Sequence, residues 1–158
     1  MTGSVTVRVP AKVNVQLAVG GPRSDGYHDL ANVFLAVGLH DEVTVRPADE
    51  LRVTCAGPDA AQVPLDHSNL AARAALALAA RYGRDANVHI HIDKDIPVAG
   101  GMAGGSADGA GALLACDALW GGPAPRAKSC WASAPSWAAT CRSASSAVPR
   151  WGAGAASC

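Results

Sequence analysis

The chain has 158 residues, a length that suits one domain. Its 13 basic and 13 acidic residues give a formal net charge of +0, which argues against a nucleic-acid partner held by bulk electrostatics. No apolar run reaches the ~18 residues of a membrane span. The start lacks the basic and apolar segments of a signal peptide, and the five cysteines show no metal-ligand spacing. We therefore expect a cytoplasmic protein without a membrane partner.

Alternating apolar residues predict that strands dominate the first half of the chain. Pro10 is expected to end the first strand and to separate it from a second, on which Lys12 and Asn14 share one polar face. A turn-rich segment with three glycines and a proline follows at residues 20–26. The predicted strands are 5–9, 13–19, 33–37, 42–46 and 51–55, the last two paired as a hairpin.

Two predicted helices flank one more strand. Ser68 is a suitable N-cap for a helix that runs to about Arg81, with Gly83 at its end. A strand at 88–93 follows, and Ser106 is expected to cap a helix that runs to about Trp120. This order predicts an α+β fold, a mixed β-sheet with helices on one face.

Residues 96–108 are the most informative segment. They place four glycines within six positions, between a strand and the start of a helix. Glycine allows a ligand to approach the main chain closely, and a helix start supplies unpaired N–H donors with a partial positive charge. The arrangement predicts a phosphate cradle. It has neither the Gly-Lys-Ser/Thr of a Walker A motif nor the glycine spacing of a dinucleotide fold.

Three motifs, in order and spacing, resemble the GHMP kinase superfamily. They are Pro-Ala-Lys-Val-Asn at 10–14, Asp-Gly-Tyr-His at 25–28, and the glycine run that ends Gly-Gly-Ser-Ala-Asp at 104–108. Together they resemble the branch of that superfamily, in its actinobacterial form, that phosphorylates a hydroxyl of 4-diphosphocytidyl-2-C-methyl-D-erythritol. The resemblance covers residues 1–121, about the first two fifths of a typical member. It implies a left-handed βαβ crossover and a step of the non-mevalonate isoprenoid pathway, with ATP and Mg²⁺ as cofactors.

The resemblance also implies roles for individual residues. Lys12 would be catalytic, since an ammonium neutralises charge that spreads over phosphoryl oxygens. Tyr27 would stack on the cytosine ring, His28 would bind its polar edge, and Asn14 would lie near the substrate. Asn69 and Lys94 would lie near the adenosine. The ATP phosphates would bind to Pro97, Val98, Ala99, Gly100, Gly101, Met102, Ala103, Gly104, Gly105, Ser106 and Ala107.

The composition changes abruptly after Gly121. Residues 122–158 contain no Asp, Glu, Leu, Ile, Phe or Tyr, yet hold three of the four tryptophans. We expect this tail to be non-native or disordered, the product of a frameshift. One GC-rich coding that residues 135–143 allow, with synonymous codons chosen for this purpose, is CCG AGC TGG GCA GCG ACG TGC CGT TCC. Translated from two bases later, it gives Glu-Leu-Gly-Ser-Asp-Val-Pro-Phe. That product contains the Gly-Ser/Ala-Asp-Val-Pro-Phe motif that carries the catalytic aspartate in the resembled family. Without this base, we expect the chain to be truncated and inactive.

Other interpretations remain open at this stage. The chain could be a nucleotide-binding module without catalysis, a translation product that does not fold, or a mevalonate, homoserine or galactose type of GHMP kinase. His89 and His91 could bind a metal, although a polar strand face is the simpler interpretation. Asp108 could favour the helix dipole or belong to a metal site.

Overall fold

The computed structural model describes residues 3–22 and 28–121, with the backbone alone for 28–30. A short 3-10 helix at Ala60–Gln62 follows the third strand. The strands are β1 (Val5–Pro22), β2 (His28–Pro47), β3 (Arg52–Ala56) and β4 (Val88–Asp93), and the helices are α1 (Leu70–Tyr82) and α2 (Gly104–Leu119). Neither helix is long and apolar enough to cross a membrane.

The four strands form one mixed sheet in the order β1-β2-β4-β3. The β1–β2 and β2–β4 pairs are antiparallel, and β3 pairs with β4 in parallel, so that β3, α1 and β4 form a βαβ unit. The predicted α+β class with a mixed sheet is confirmed. The predicted hairpin between 42–46 and 51–55 is wrong, because β4 lies between β2 and β3. The fully buried Val88, Ile90 and Ile92 explain this central position.

The helices pack on one face of the sheet. Val43 and Val45 of β2 and the buried residues of β4 face them, whereas Thr54, His89 and His91 lie on the opposite face. Small residues let α2 approach closely: a Cβ at Gly111 would lie 2.9 Å from Cγ1 of Val9. Burial of this apolar layer is the main stabilising contribution to the fold.

The first two predicted strands are one continuous strand. Pro10 lies within β1 and pairs with His40 of β2. A proline is tolerated at this position because β1 is an edge strand of the sheet. The register shifts between Pro10 and Lys12, and again between Asn14 and Gln16. The second shift leaves Val15 as an extra residue, so Leu17 turns to the face that carries Asn14. Strict alternation over 13–19 did not predict this.

The far half of the β1–β2 hairpin exposes large apolar side chains on both faces, with Leu17 and Val19 on one face and Val33 and Leu35 on the other. Val15, Leu17, Val19, Val33 and Leu35 are each more than half exposed. Exposed apolar surface of this kind promotes association. We expect light scattering to show self-association of the chain, and the double variant Leu17→Thr with Val19→Thr to reduce it several-fold. Equal scattering by the two proteins would contradict this expectation.

Candidate functional site

The loop that joins β4 to α2 has an unusual backbone. Ala99, Gly101 and Ala103 all have positive φ values of 61°, 71° and 58°. Alanine rarely adopts this conformation, so the surrounding contacts must hold it in place. The N–H of Val98 donates to Oδ2 of Asp59 at 3.1 Å, and the N–H of Lys12 donates to the carbonyl of Met102 at 3.2 Å. The loop is therefore tied both to the segment after β3 and to β1.

The N-cap of α2 lies three residues before Ser106, the predicted cap. The helix begins at Gly104, and its N-cap residue Ala103 has no side chain that could cap it. Ser106 is thus a residue of the first turn rather than the cap, and Asp108 lies beyond that turn. The left-handed Ala103 starts the helix in place of a serine cap. The first N–H donors of α2, with the positive end of the helix dipole, are left without a side-chain cap beside the loop.

An open cavity of about 370 Å³ lies over this loop. Among the residues predicted to bind ATP, ten of the loop, Asn69 and Lys94 line it, whereas Ala107 is buried and does not. Several lining residues carried no sequence signal, among them Gln62, Val63 and Pro64, which precede α1. Backbone donors, bare glycine surface and the helix start therefore meet in one concave site, which is the geometry of an anion-binding site.

A buried charge cluster lies beneath the cavity. The ammonium of Lys94 donates to Oδ2 of Asp41, and to Oδ2 of Asp108 at 3.0 Å. Burial alone would lower the pKa of Lys94, but the two carboxylates outweigh it and raise this pKa. Burial raises the pKa of Asp108 to about 7, although the Lys94 ammonium opposes this shift. Asp108 is thus a buried hydrogen-bond partner of Lys94, on the inner side of the site.

Asn69 is the N-cap of α1. Its Oδ1 accepts the N–H of Ala71 at 2.8 Å, and its Nδ2 donates to the carbonyl of Pro64 at 2.7 Å. Ser68, the predicted cap, lies one residue too early, because the extended backbone at Asn69 aims that side chain at the first turn. The adenosine contact predicted for Asn69 would use what remains of its hydrogen-bonding capacity.

Lys12 and Asn14 lie together on the predicted face of β1. The Lys12 ammonium donates to Oδ1 of Asn14 at 3.0 Å and lies 4.9 Å from the ring centroid of Phe34. Neither residue lines the cavity, but the backbone bond to Met102 holds Lys12 next to the loop. Tyr27 and the side chain of His28 lie outside the described residues, so their predicted contacts with cytosine stay predictions.

His89 and His91 belong to a hydrogen-bonded chain on the open face of the sheet. Nδ1 of His89 accepts from Nε of Arg46 at 2.9 Å, and Oγ1 of Thr54 lies 2.7 Å from a ring nitrogen of each histidine. Burial and then Arg46 lower the pKa of His89. Among the side chains that the structure describes, those of residues 3–22 and 31–121, no three His, Cys, Asp or Glu are grouped as a metal site. The two histidines therefore form part of a polar face of β4, and their side chains take part in its hydrogen bonds.

The comparisons with known proteins agree with this fold and loop. Residues 69–134 match the family model for the GHMP kinases N terminal domain. A crystal structure of 4-(cytidine 5'-diphospho)-2C-methyl-D-erythritol kinase superposes with a TM-score of 0.62 and 34% sequence identity, over 88% of this chain and 45% of that one. The described residues have the fold of a GHMP kinase amino-terminal domain.

The more specific similarity is to one kinase of this class. A protein of Streptomyces avermitilis called 4-diphosphocytidyl-2-C-methyl-D-erythritol kinase is 81% identical over 123 residues, which are 78% of this chain and 41% of that protein. Its namesake in Streptomyces coelicolor is 82% identical over 124 residues, 78% of this chain and 42% of that protein. The chain thus spans about two fifths of the length of these relatives.

Proposed function

We propose that the chain carries the ATP-binding part of a small-molecule kinase that phosphorylates a hydroxyl of 4-diphosphocytidyl-2-C-methyl-D-erythritol in the non-mevalonate isoprenoid pathway. The observation that carries the proposal is the left-handed loop 97–103 beside an α2 start that has no side-chain cap. The identity of more than 80% to kinases of that name supports the substrate. A cytoplasmic location fits a soluble substrate of this kind.

Different residues of the site would bind the successive parts of a nucleoside triphosphate. The phosphates would lie on the loop amides and the start of α2, and the adenosine near Asn69 and Lys94. Lys12, which the loop holds beside the cavity, would offset the charge that develops on the transferred phosphoryl group. Asn14, Tyr27 and His28 would bind the cytidine-bearing substrate.

Mg²⁺ would arrive with the triphosphate. This ion usually keeps several waters and is held by phosphate oxygens with only one or two carboxylates. The lack of a three-residue metal cluster among the side chains of residues 3–22 and 31–121 is compatible with such binding. When bound, the ion offsets negative charge on the phosphates during transfer.

A nucleotide-binding module without catalysis is the second candidate. The sequence has no acidic residue after Asp117, so it lacks the aspartate that would take the proton of the attacking hydroxyl. We therefore propose that this chain binds ATP but turns over the substrate far more slowly than a full-length relative. A turnover assay with the cytidine substrate tests this, and a rate similar to that of the Streptomyces coelicolor enzyme would contradict it.

The variant Gly105→Ala tests the cavity as the ATP site. A methyl group there would meet only Cδ1 of Leu70, at 3.9 Å, so the protein itself accommodates it. Alanine within a helix is more stable than glycine by about 1 kcal/mol. In the cavity, however, the same methyl group would keep the phosphates away from the backbone.

We expect titration calorimetry to show that Gly105→Ala weakens ATP binding at least tenfold, while its free energy of unfolding stays equal or rises. Because the fold is preserved, the loss of affinity would measure only the clash between the added methyl group and the bound phosphates. Unchanged ATP affinity in Gly105→Ala, or no heat with wild-type protein, would contradict the proposed site.

The division of the chain at residue 121 is also a proposal. Residues 122–158 lie outside the described residues, and their frameshift origin rests on the sequence alone. Sequencing the gene from codon 121 through codon 143 tests it. A downstream frame that encodes Gly-Ser-Asp-Val-Pro-Phe would support the frameshift, and its absence would exclude it.

A further inference from the structure

The carboxylate of Asp41 binds the segment that leads from β4 into the glycine loop. It is fully buried, and its Oδ1 accepts the N–H groups of both Asp95 and Ile96 at 2.8 Å. Its Oδ2 accepts the ammonium of Lys94. Asp41 thus binds donors from three consecutive residues between the end of β4 and Pro97, where the loop begins.

The same cluster reaches the far end of the loop. Lys94 also donates to Asp108 of α2 at 3.0 Å. The ammonium passes so close to Gly104, the first residue of α2, that a Cβ there would lie 2.7 Å from Nζ. The two ends of the loop are therefore connected through Lys94, and Lys94 is in turn fixed by Asp41.

Burying two carboxylates with one ammonium is energetically expensive, because each group loses its hydration. Apolar residues would fill the same space at lower cost, so the cluster is poorly explained by stability alone. Lys94 and Asp108 line the cavity, but Asp41 does not. Any effect of Asp41 on a ligand must therefore pass through Lys94 and the loop backbone.

We propose that Asp41 is a positioning residue, which sets the conformation of the phosphate loop through the amides of residues 95 and 96 and through Lys94. This inference rests on the proposed function for its effect on ATP. Asp41→Ala removes both interactions. Asp41→Asn keeps an oxygen acceptor for the two amides but cannot also accept from Lys94, so it should restore part of what Asp41→Ala loses.

The matched control is Val53→Ala, which removes two methyl groups from a buried side chain of β3 that does not line the cavity. It should lower stability without touching the loop. At a temperature where circular dichroism shows all variants folded, we expect ATP affinity to fall at least tenfold in Asp41→Ala, less in Asp41→Asn, and less than twofold in Val53→Ala.

Hydrogen exchange supplies a second measurement that needs no ligand. The Val98 amide is bonded to Asp59 rather than to Asp41, so its protection reports on the loop as a whole. We expect it to exchange at least tenfold faster in Asp41→Ala than in Val53→Ala. Equal exchange in these two variants would overturn the inference. Because this measurement needs no ligand, it decides the inference even where wild-type protein fails to bind ATP. That failure would contradict the proposed function instead. Equal losses of ATP affinity in the two variants would also overturn the inference.

Discussion

The variant Gly57→Ala is expected to lose about 4 kcal/mol or more of its free energy of unfolding. Gly57 follows β3 with a φ of 116°, a conformation that L-residues rarely adopt. A Cβ there would overlap the carbonyl oxygen of Lys94 and lie 2.9 Å from its carbonyl carbon. Both neighbours are backbone atoms, so neither can rotate away. Urea unfolding of the two proteins measures the difference.

Gly83→Ala is the matched control for Gly57→Ala. Gly83 ends α1 with a φ of 62°, but a Cβ there would meet nothing within 4 Å. It should therefore lose only about 1 kcal/mol, the cost of the left-handed backbone. A Gly57→Ala protein no less stable than Gly83→Ala would show that β3 does not pass so close to Lys94.

The second large effect concerns the pH dependence of stability. Asp108 has a pKa of about 7 in the folded protein, against 3.8 when unfolded. Between these values the folded state holds a proton that the unfolded state has released, so stability falls as pH rises from about 4 to about 7. The full difference corresponds to about 4 kcal/mol. The groups that face Asp108 are Lys94, Asp41 and Cys55.

The variant Asp108→Asn keeps the shape of the side chain but cannot ionise. We expect its free energy of unfolding, relative to wild type, to rise by about 2 kcal/mol or more between pH 5 and pH 8. Glu42→Gln is the control, since Glu42 pairs with Arg8 on the surface, where ion pairs have small effects. A difference between Asp108→Asn and wild type that stays constant over this range would contradict the burial of an ionisable Asp108.

Local sequence patterns predicted where strands, helices and the glycine loop lie, because each is specified by neighbouring residues. They divided two long strands, since 5–9 and 13–19 belong to β1 and 33–37 and 42–46 belong to β2. Pairing was harder to predict. The alternation at 42–46 and 51–55 is equally compatible with a hairpin and with insertion of a third strand. Only the complete burial of β4 decides between them. The bulge at Val15 was also missed, since a register shift depends on the partner strand.

The charge cluster of the site had a sequence signal that was not used. Asp41 lies two and four residues from the buried Val43 and Val45, and Lys94 lies two and four residues from the buried Ile92 and Ile90. Alternation therefore places an acid and a base on the inner face of adjacent strands, where charged groups need partners. Asp59 gave no such signal. It accepts the Val98 amide, but it lies in an irregular segment, where no periodic pattern predicts the direction of a side chain.

The central claim is that loop 97–103 and the start of α2 bind the phosphates of ATP. An NMR titration of ¹⁵N-labelled protein with ATP tests it most directly. We expect the largest amide shifts at Gly100, Gly101, Gly104, Gly105 and Ser106, and little change on the open sheet face at His89. Saturating ATP that shifts none of the loop amides, or shifts a different region instead, would contradict the account.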